Sequence, residues 1–197
     1  MVDMGPARTG EPAAQPLAQS VKILVAGGFG VGKTTMVAAI SEIPPLRTEE
    51  IITERSAGVD DLTGVEAKST TTVALDFGRI TIDAGLVLYL FGTPGQDRFW
   101  FLWDELARGA LGAVILADTR RLENSFAAID FFERRGVGFA IGVNCFDDAP
   151  RYGIDEVRDA LDLGPGVPIV MCDARDRDSC KQVLTTLTEY LITQVAH

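Results

Sequence analysis

The residues with the clearest chemistry are Gly27-Gly28-Phe29-Gly30-Val31-Gly32-Lys33-Thr34-Thr35, which contain the pattern Gly-x-x-x-x-Gly-Lys-Thr. Such a stretch can wrap a string of phosphates. Its backbone N–H groups must converge on the phosphate oxygens, so bulky side chains have to be absent, and glycine leaves that room. Lys33 brings a positive charge to the phosphates, and Thr34 offers a hydroxyl to Mg²⁺. A helix beginning at Lys33 would add the positive end of its dipole.

The flanking elements fit this task. Val21-Lys22-Ile23-Leu24-Val25-Ala26 reads as a buried strand, and residues 33–41 as a helix; together with the loop they make the strand, phosphate-binding loop and helix of a P-loop protein. Pro44-Pro45 then stops helix formation. Residues 46–70 are polar and acidic without a clear period and read as a long loop. Strands are expected at 71–77 and 86–91, joined antiparallel through a turn region at 78–85. Gly92-Thr93-Pro94-Gly95 breaks the chain sharply. Further strands are expected at 113–117, 139–143 and 167–171, with helices at 98–108, 123–134, 154–161 and 179–195. The alternation implies an α/β fold with a mostly parallel sheet of about six strands and helices on both faces. Residues 1–20, rich in Pro, Gly, Ala and Gln, read as a disordered tail, which leaves 21–197 as the single folded domain.

Bulk properties exclude several classes. The chain of 197 residues carries 18 basic and 28 acidic residues, a net charge of −10, so a polyanion such as nucleic acid or an anionic membrane would be repelled. Arg120-Arg121 and Arg134-Arg135 read as helix-end charges rather than a basic patch. Three widely spaced cysteines (Cys145, Cys172, Cys180) and one histidine, His197, fit neither a zinc site nor a disulfide framework, and point to a reducing, cytoplasmic setting. No apolar run reaches about 18 residues, so no membrane insertion is expected. Any visit to a membrane would depend on a partner.

Four motifs in order carry a resemblance: Gly27–Thr34, Thr72-Val73-Ala74-Leu75-Asp76-Phe77, Gly92-Thr93-Pro94-Gly95-Gln96 and Asn144-Cys145-Phe146-Asp147. Residues 21–197 resemble the Ras-like small GTPase superfamily, and within it the bacterial MglA-like branch and the actinobacterial conservon-encoded (CvnD-like) G proteins. The resemblance implies a Ras-like G domain acting as a GTP/GDP-binding switch with slow hydrolysis in bacterial signalling. It also implies Mg²⁺ as cofactor, a roadblock-type partner and a sensor-kinase-like partner. On this reading Gly27, Gly28, Phe29, Gly30, Val31, Gly32, Lys33, Thr34 and Thr35 surround the nucleotide, and Thr34 and Thr72 hold Mg²⁺, with Thr71 the alternative to Thr72. Gly95 senses the γ-phosphate, and Gln96 positions water beside Lys33 and Thr72 as the catalytic set.

The chain departs from the wider superfamily at two places. Gly92 stands where an Asp normally holds Mg²⁺ through water; Asp76, or failing that Asp83, lies on a neighbouring strand and can take its place. Cys145 stands where a Lys normally covers the base. Asn144 and Asp147 match the guanine-reading element, with Asp148 a rival for the reading position, because a carboxylate accepts the N1–H and N2 protons of guanine and repels the N1 acceptor of adenine. Ala174 and Arg175, in Asp173-Ala174-Arg175, match the element that meets the base oxygen and packs on the ring. Of the aromatic run Phe99-Trp100-Phe101-Leu102-Trp103, at least one or two residues should face outward, because a helix spreads five consecutive residues around its circumference. Two other classes remain open: a nucleotide-bound scaffold without turnover, and a P-loop ATPase or small-molecule kinase.

Overall fold

Along the first strand, β1 (Gln19–Gly27), successive side chains alternate between two cores. Ile23 and Val25 pack with Met36, Val37 and Ile40 of α1 (Lys33–Ile40) and with Val183 and Leu187 of α5 (Arg177–Val195). Leu24 and Ala26 face the opposite layer, where Trp103, Ile129, Phe132 and Val157 come from α2 (Phe101–Ala107), α3 (Phe126–Arg135) and α4 (Ile154–Ala160). The strands covered on both faces read as continuous apolar runs. In β5 (Gly112–Ala117) and β6 (Phe139–Asn144) every residue is buried. The computed structural model describes residues 19–44, 46–53, 70–95 and 101–195.

The remaining strands are β2 (Leu46–Thr53), β3 (Thr70–Asp83), β4 (Leu86–Gly92) and β7 (Ile169–Cys172). The sheet has the order β2-β3-β4-β1-β5-β6-β7. β4, β1, β5, β6 and β7 are parallel, whereas β3 runs antiparallel to both of its neighbours. The expected mostly parallel α/β sheet flanked by helices is therefore present, with seven strands among the described residues. The added strand is β2, which lies in the segment read as loop. Its sequence, Leu-Arg-Thr-Glu-Glu-Ile-Ile-Thr, has no apolar alternation because it is the sheet's edge and is held by backbone pairing, from Leu46↔Phe77 to Thr53↔Thr70.

The turn region expected at 78–85 contracts to Ala84-Gly85, since β3 runs on to Asp83, whose carboxylate accepts the Gly85 N–H at 2.6 Å. The helix expected at 123–134 starts as a 3-10 turn, Leu122–Ser125, before α3 begins. All the carboxyl ends of the parallel strands lie along one edge, where open α/β sheets bind ligands.

Candidate functional site

The loop between β1 and α1 is held in shape from outside. Gly32 has φ 108, a left-handed conformation, and a Cβ there would stand 2.7 Å from Asn144 Nδ2. Lys33 opens α1 and folds back over the loop, its Nζ donating to the carbonyls of Gly27 and Gly28, both at 2.8 Å. The side chain is buried, and that burial pulls its ammonium down to about 8, partly offset by Asp76. Gly95 closes on the same place: a Cβ there would lie 2.6 Å from Lys33 Nζ and 3.0 Å from Phe29 Cα. Only glycine permits this approach, which fits a residue that meets the end of a phosphate chain. Phe29, by contrast, is 68% exposed at the crest of the loop.

On the α1 side, Thr34 Oγ1 donates to Asp76 Oδ2 at 2.5 Å. A Cβ at Gly92 would stand 3.0 Å from Asp76 Cβ and 3.2 Å from Asp76 Oδ2. Asp76 thus fills the room beside Gly92, reaching from β3 the place that the resemblance gives to an acid on β4. A hydroxyl and a carboxylate converging beside the phosphate loop are hard oxygen donors of the kind Mg²⁺ takes, together with phosphate and water. The residues present therefore fit that ion.

Thr72 lies inside β3, opposite Ile51, within the stretch expected as strand. Asp76 lies four positions further along the strand, roughly 13 Å away along the chain. The Thr72 backbone is taken up in the β2–β3 pairing.

The base side is built around Asn144 at the end of β6. Its Nδ2 donates to the Val31 carbonyl at 2.9 Å, and its Oδ1 accepts the Ala174 N–H at 3.0 Å. One buried carboxamide so joins the phosphate loop to the Asp173-Ala174-Arg175 turn. The Ala174 N–H that the resemblance assigns to a base oxygen is here committed to Asn144. Asp147 is exposed, and the Arg175 guanidinium meets both of its oxygens at 3.2 Å while also holding Asp173. That hydrogen-bonded guanidinium keeps the Asp147 carboxyl below the usual carboxylate range. The rival Asp148 is paired with Arg120 at 2.9 Å. Cys145 is half-buried, its thiol 3.6 Å from the Val143 carbonyl.

Two features escaped the sequence reading. Asp118, one residue past β5, is 3% exposed, and its carboxylate is gripped by Arg120 through Nε and Nη2 at 2.9 and 2.8 Å. The Arg120 guanidinium also lies 4.0 Å over the Phe146 ring. Arg120 and Arg121 therefore sit at the carboxyl edge of the sheet around a buried acid, and Arg121 also stands at the start of the 3-10 turn. A charged residue straight after an all-buried strand was the available signal. Arg134 and Arg135 do close the last turn of α3.

The second feature is Trp103, which is buried and donates its indole N–H to the Pro94 carbonyl at 3.1 Å. Phe101 is 51% exposed, in keeping with the expected outward aromatic. Gln96, Arg98, Phe99 and Trp100 lie outside the described residues, as do Thr71's and Thr72's side chains. Burial pushes the thiols of Cys172 up to about 12 and Cys180 up to about 11, which leaves both inert packing groups.

Comparison with known proteins bears on the fold and the family. The Ras-related protein SEC4 of Saccharomyces cerevisiae is 22% identical over 180 residues, covering 87% of this chain and 74% of SEC4. An uncharacterized protein of Methanocaldococcus jannaschii is 29% identical over 129 residues, 64% of this chain and 71% of its own length. Among solved structures, the G domain of the T. maritima FeoB iron transporter superposes with TM-score 0.61 at 20% identity, covering 87% of this chain and 99% of that domain. The FeoB G domain of Methanococcus jannaschii gives TM-score 0.58 at 14% identity over 88% and 98%. At such identities the structures establish a shared G-domain fold. A family model described as conserved hypothetical ATP binding protein matches residues 25–194. The chain belongs to that family, on a Ras-like P-loop G-domain scaffold.

Proposed function

We propose that this protein is a GTP-binding switch that hydrolyses GTP slowly and is stimulated by a partner. The observation that carries the reading is the meeting of Lys33, Gly95, and the Thr34–Asp76 pair over one glycine loop at the carboxyl edge of the sheet. In this reading Gly27, Gly28, Phe29, Gly30, Val31, Gly32, Thr34 and Thr35 supply the cradle. Lys33 leaves its loop carbonyls for the β- and γ-phosphates. Gly95 meets the γ-phosphate through its N–H, and Gln96 orients the attacking water. When bound, Mg²⁺ would neutralise phosphate charge, held by Thr34 with Asp76 behind it. Thr72 joins only if the outer part of the β2–β3 pair opens, which makes that pair the segment whose state reports the nucleotide.

Guanine recognition is assigned to Asp147, with Asn144 bracing the loops and the stem of Arg175 covering the ring. Arg175 must then share Asp147 with the base. Similarity to Ras-related proteins, and to a FeoB structure in a GDP form (TM-score 0.63, 18% identity), supports guanine. The MglA-like or CvnD-like placement, the roadblock-type and sensor-kinase-like partners, and the cytoplasmic setting belong to the same proposal. Among the described residues no helix is long and apolar enough to cross a membrane.

A second reading, ATP in the same cradle, is favoured by one observation. Asp147 and the Ala174 N–H, the two groups that would select guanine, already have protein partners. Equilibrium competition between GTP and ATP separates the readings: GTP should win by at least about 100-fold, the scale set by unpaired buried polar groups. Comparable affinities would remove the guanine assignment. Phosphate release over many turnovers, with Gln96→Ala as control, separates a slow enzyme from a scaffold that never turns over.

A further inference from the structure

The phosphate loop has a second cation beside it that the roles above do not use. Asp118 is buried, and the two-pronged grip of Arg120 satisfies it. Arg121 is held more loosely. Its Nη2 stands 3.6 Å from Asp118 Oδ2, beyond hydrogen-bonding distance, and its side chain is about half exposed. A guanidinium has five N–H donors, so Asp118 orients Arg121 without consuming it.

The same nitrogen lies 4.0 Å from the place a Cβ at Gly30 would occupy. Arg121 is fixed there by its backbone. Its N–H donates to the Asp118 carbonyl at 2.9 Å, and its carbonyl accepts the Asn124 N–H at 3.1 Å. Asn124 in turn presses on the loop, where a Cβ at Gly28 would meet Asn124 Cβ at 2.8 Å. Arg121 and Asp118 line, with Gly28, Phe29 and Val31, a cleft of ≈ 10 Å³, room for about one water.

We infer that Arg121 donates guanidinium N–H groups to the phosphate tail of the bound nucleotide, approaching at the Gly30 end of the loop. The inference rests on the reading that a nucleoside di- or triphosphate fills the cradle. It adds a second cation to the cradle of a chain whose net charge is −10. Lys33 serves the Gly27–Gly28 end, and Arg121 the other. The planar guanidinium suits two phosphate oxygens at once, and it stays charged at every working pH.

The test uses the full-length protein and the variants Arg121→Gln and Arg121→Lys. Dissociation of a fluorescent GDP and of a fluorescent non-hydrolysable GTP analogue is followed for each, beside the melting temperature of the nucleotide-free protein. Arg121→Gln should release both nucleotides about tenfold faster or more, the loss expected for a hydrogen bond to a charged group. Arg121→Lys should fall between wild type and Arg121→Gln, since the charge is kept and the fork is lost. Nucleotide-free melting should be unchanged in both, which a merely structural role would not give. Wild-type release rates in Arg121→Gln, or equal acceleration in Arg121→Lys and Arg121→Gln, would overturn the inference while leaving nucleotide binding standing. A wild-type protein that retains neither nucleotide would instead remove the reading beneath it.

Discussion

Restoring the acid at position 92 is the sharpest perturbation the structure offers. A Cβ at Gly92 would sit 3.0 Å from Asp76 Cβ, so Gly92→Asp forces two adjacent strands apart by a few tenths of an ångström. Overpacking of that kind costs about 1–3 kcal/mol. The new carboxylate would also face Asp76 at roughly 4 Å, a repulsion of up to about 4 kcal/mol at an effective dielectric constant near 20. Proton uptake by one of the pair relieves part of this, which leaves a net loss of about 3 kcal/mol. Asp76→Ala alone removes one hydrogen bond to the exposed Thr34 hydroxyl and should cost only about 1 kcal/mol of stability. Its main effect should be on Mg²⁺-dependent retention of nucleotide.

The double variant Gly92→Asp/Asp76→Ala puts one carboxylate back into the same room from the neighbouring strand. It should recover the Mg²⁺ dependence and the part of the stability lost to charge repulsion, a coupling of about 2 kcal/mol, while the crowding remains because Asp76→Ala keeps the Cβ. Urea unfolding reads the first quantity. Release of a fluorescent guanine nucleotide with and without Mg²⁺ reads the second. Strict additivity of the two substitutions, or full Mg²⁺ dependence in Asp76→Ala, would refute the claim that the acid has moved from β4 to β3.

Three further outcomes are expected. Lys33 has a folded value of about 8 against 10.5 for a free amine, so its charge penalises the nucleotide-free fold below pH 8 and the penalty lifts as pH rises from 8 to 10.5. Wild type should gain up to about 3 kcal/mol over that window relative to Lys33→Met, measured by unfolding at each pH. Asn144→Ala strands the Val31 carbonyl and the Ala174 N–H together and should cost about 3 kcal/mol in denaturant unfolding, with nucleotide retention falling in parallel. Trp103 fluorescence, isolated by Trp100→Phe, should change between GDP and a non-hydrolysable GTP analogue because its indole is tied to the turn that carries Gly95; identical spectra would disconnect the two.

What the sequence disclosed was local or strictly periodic. The strand, glycine loop and helix at 19–40 were legible because each depends on neighbours a few residues away. So were β5 and β6, whose unbroken apolar runs admit little else. β2 was hidden because an edge strand is fixed by its partner's register and not by burial, and its Arg47, Glu49 and Glu50 look like loop residues. Asp76 was found through the gap at Gly92, a difference between two positions that sequence alone can expose. For the grouping of Asp118, Arg120 and Arg121 around the loop, the charged residue after an all-buried strand was the one hint, because the grouping itself depends on the backbone bringing Asn124 against Gly28.

The carboxamide of Asn144 also has a temporal consequence. It spans 113 residues back to Val31 and 30 forward to Ala174. The glycine loop leaves the ribosome early, yet its shape is secured only after the chain beyond residue 174 has emerged and docked. Closure over so many residues comes late in folding. A nascent or truncated chain ending before that turn would carry the phosphate-wrapping residues without the brace that sets them, so competence to hold nucleotide should arrive only once that turn has emerged and docked.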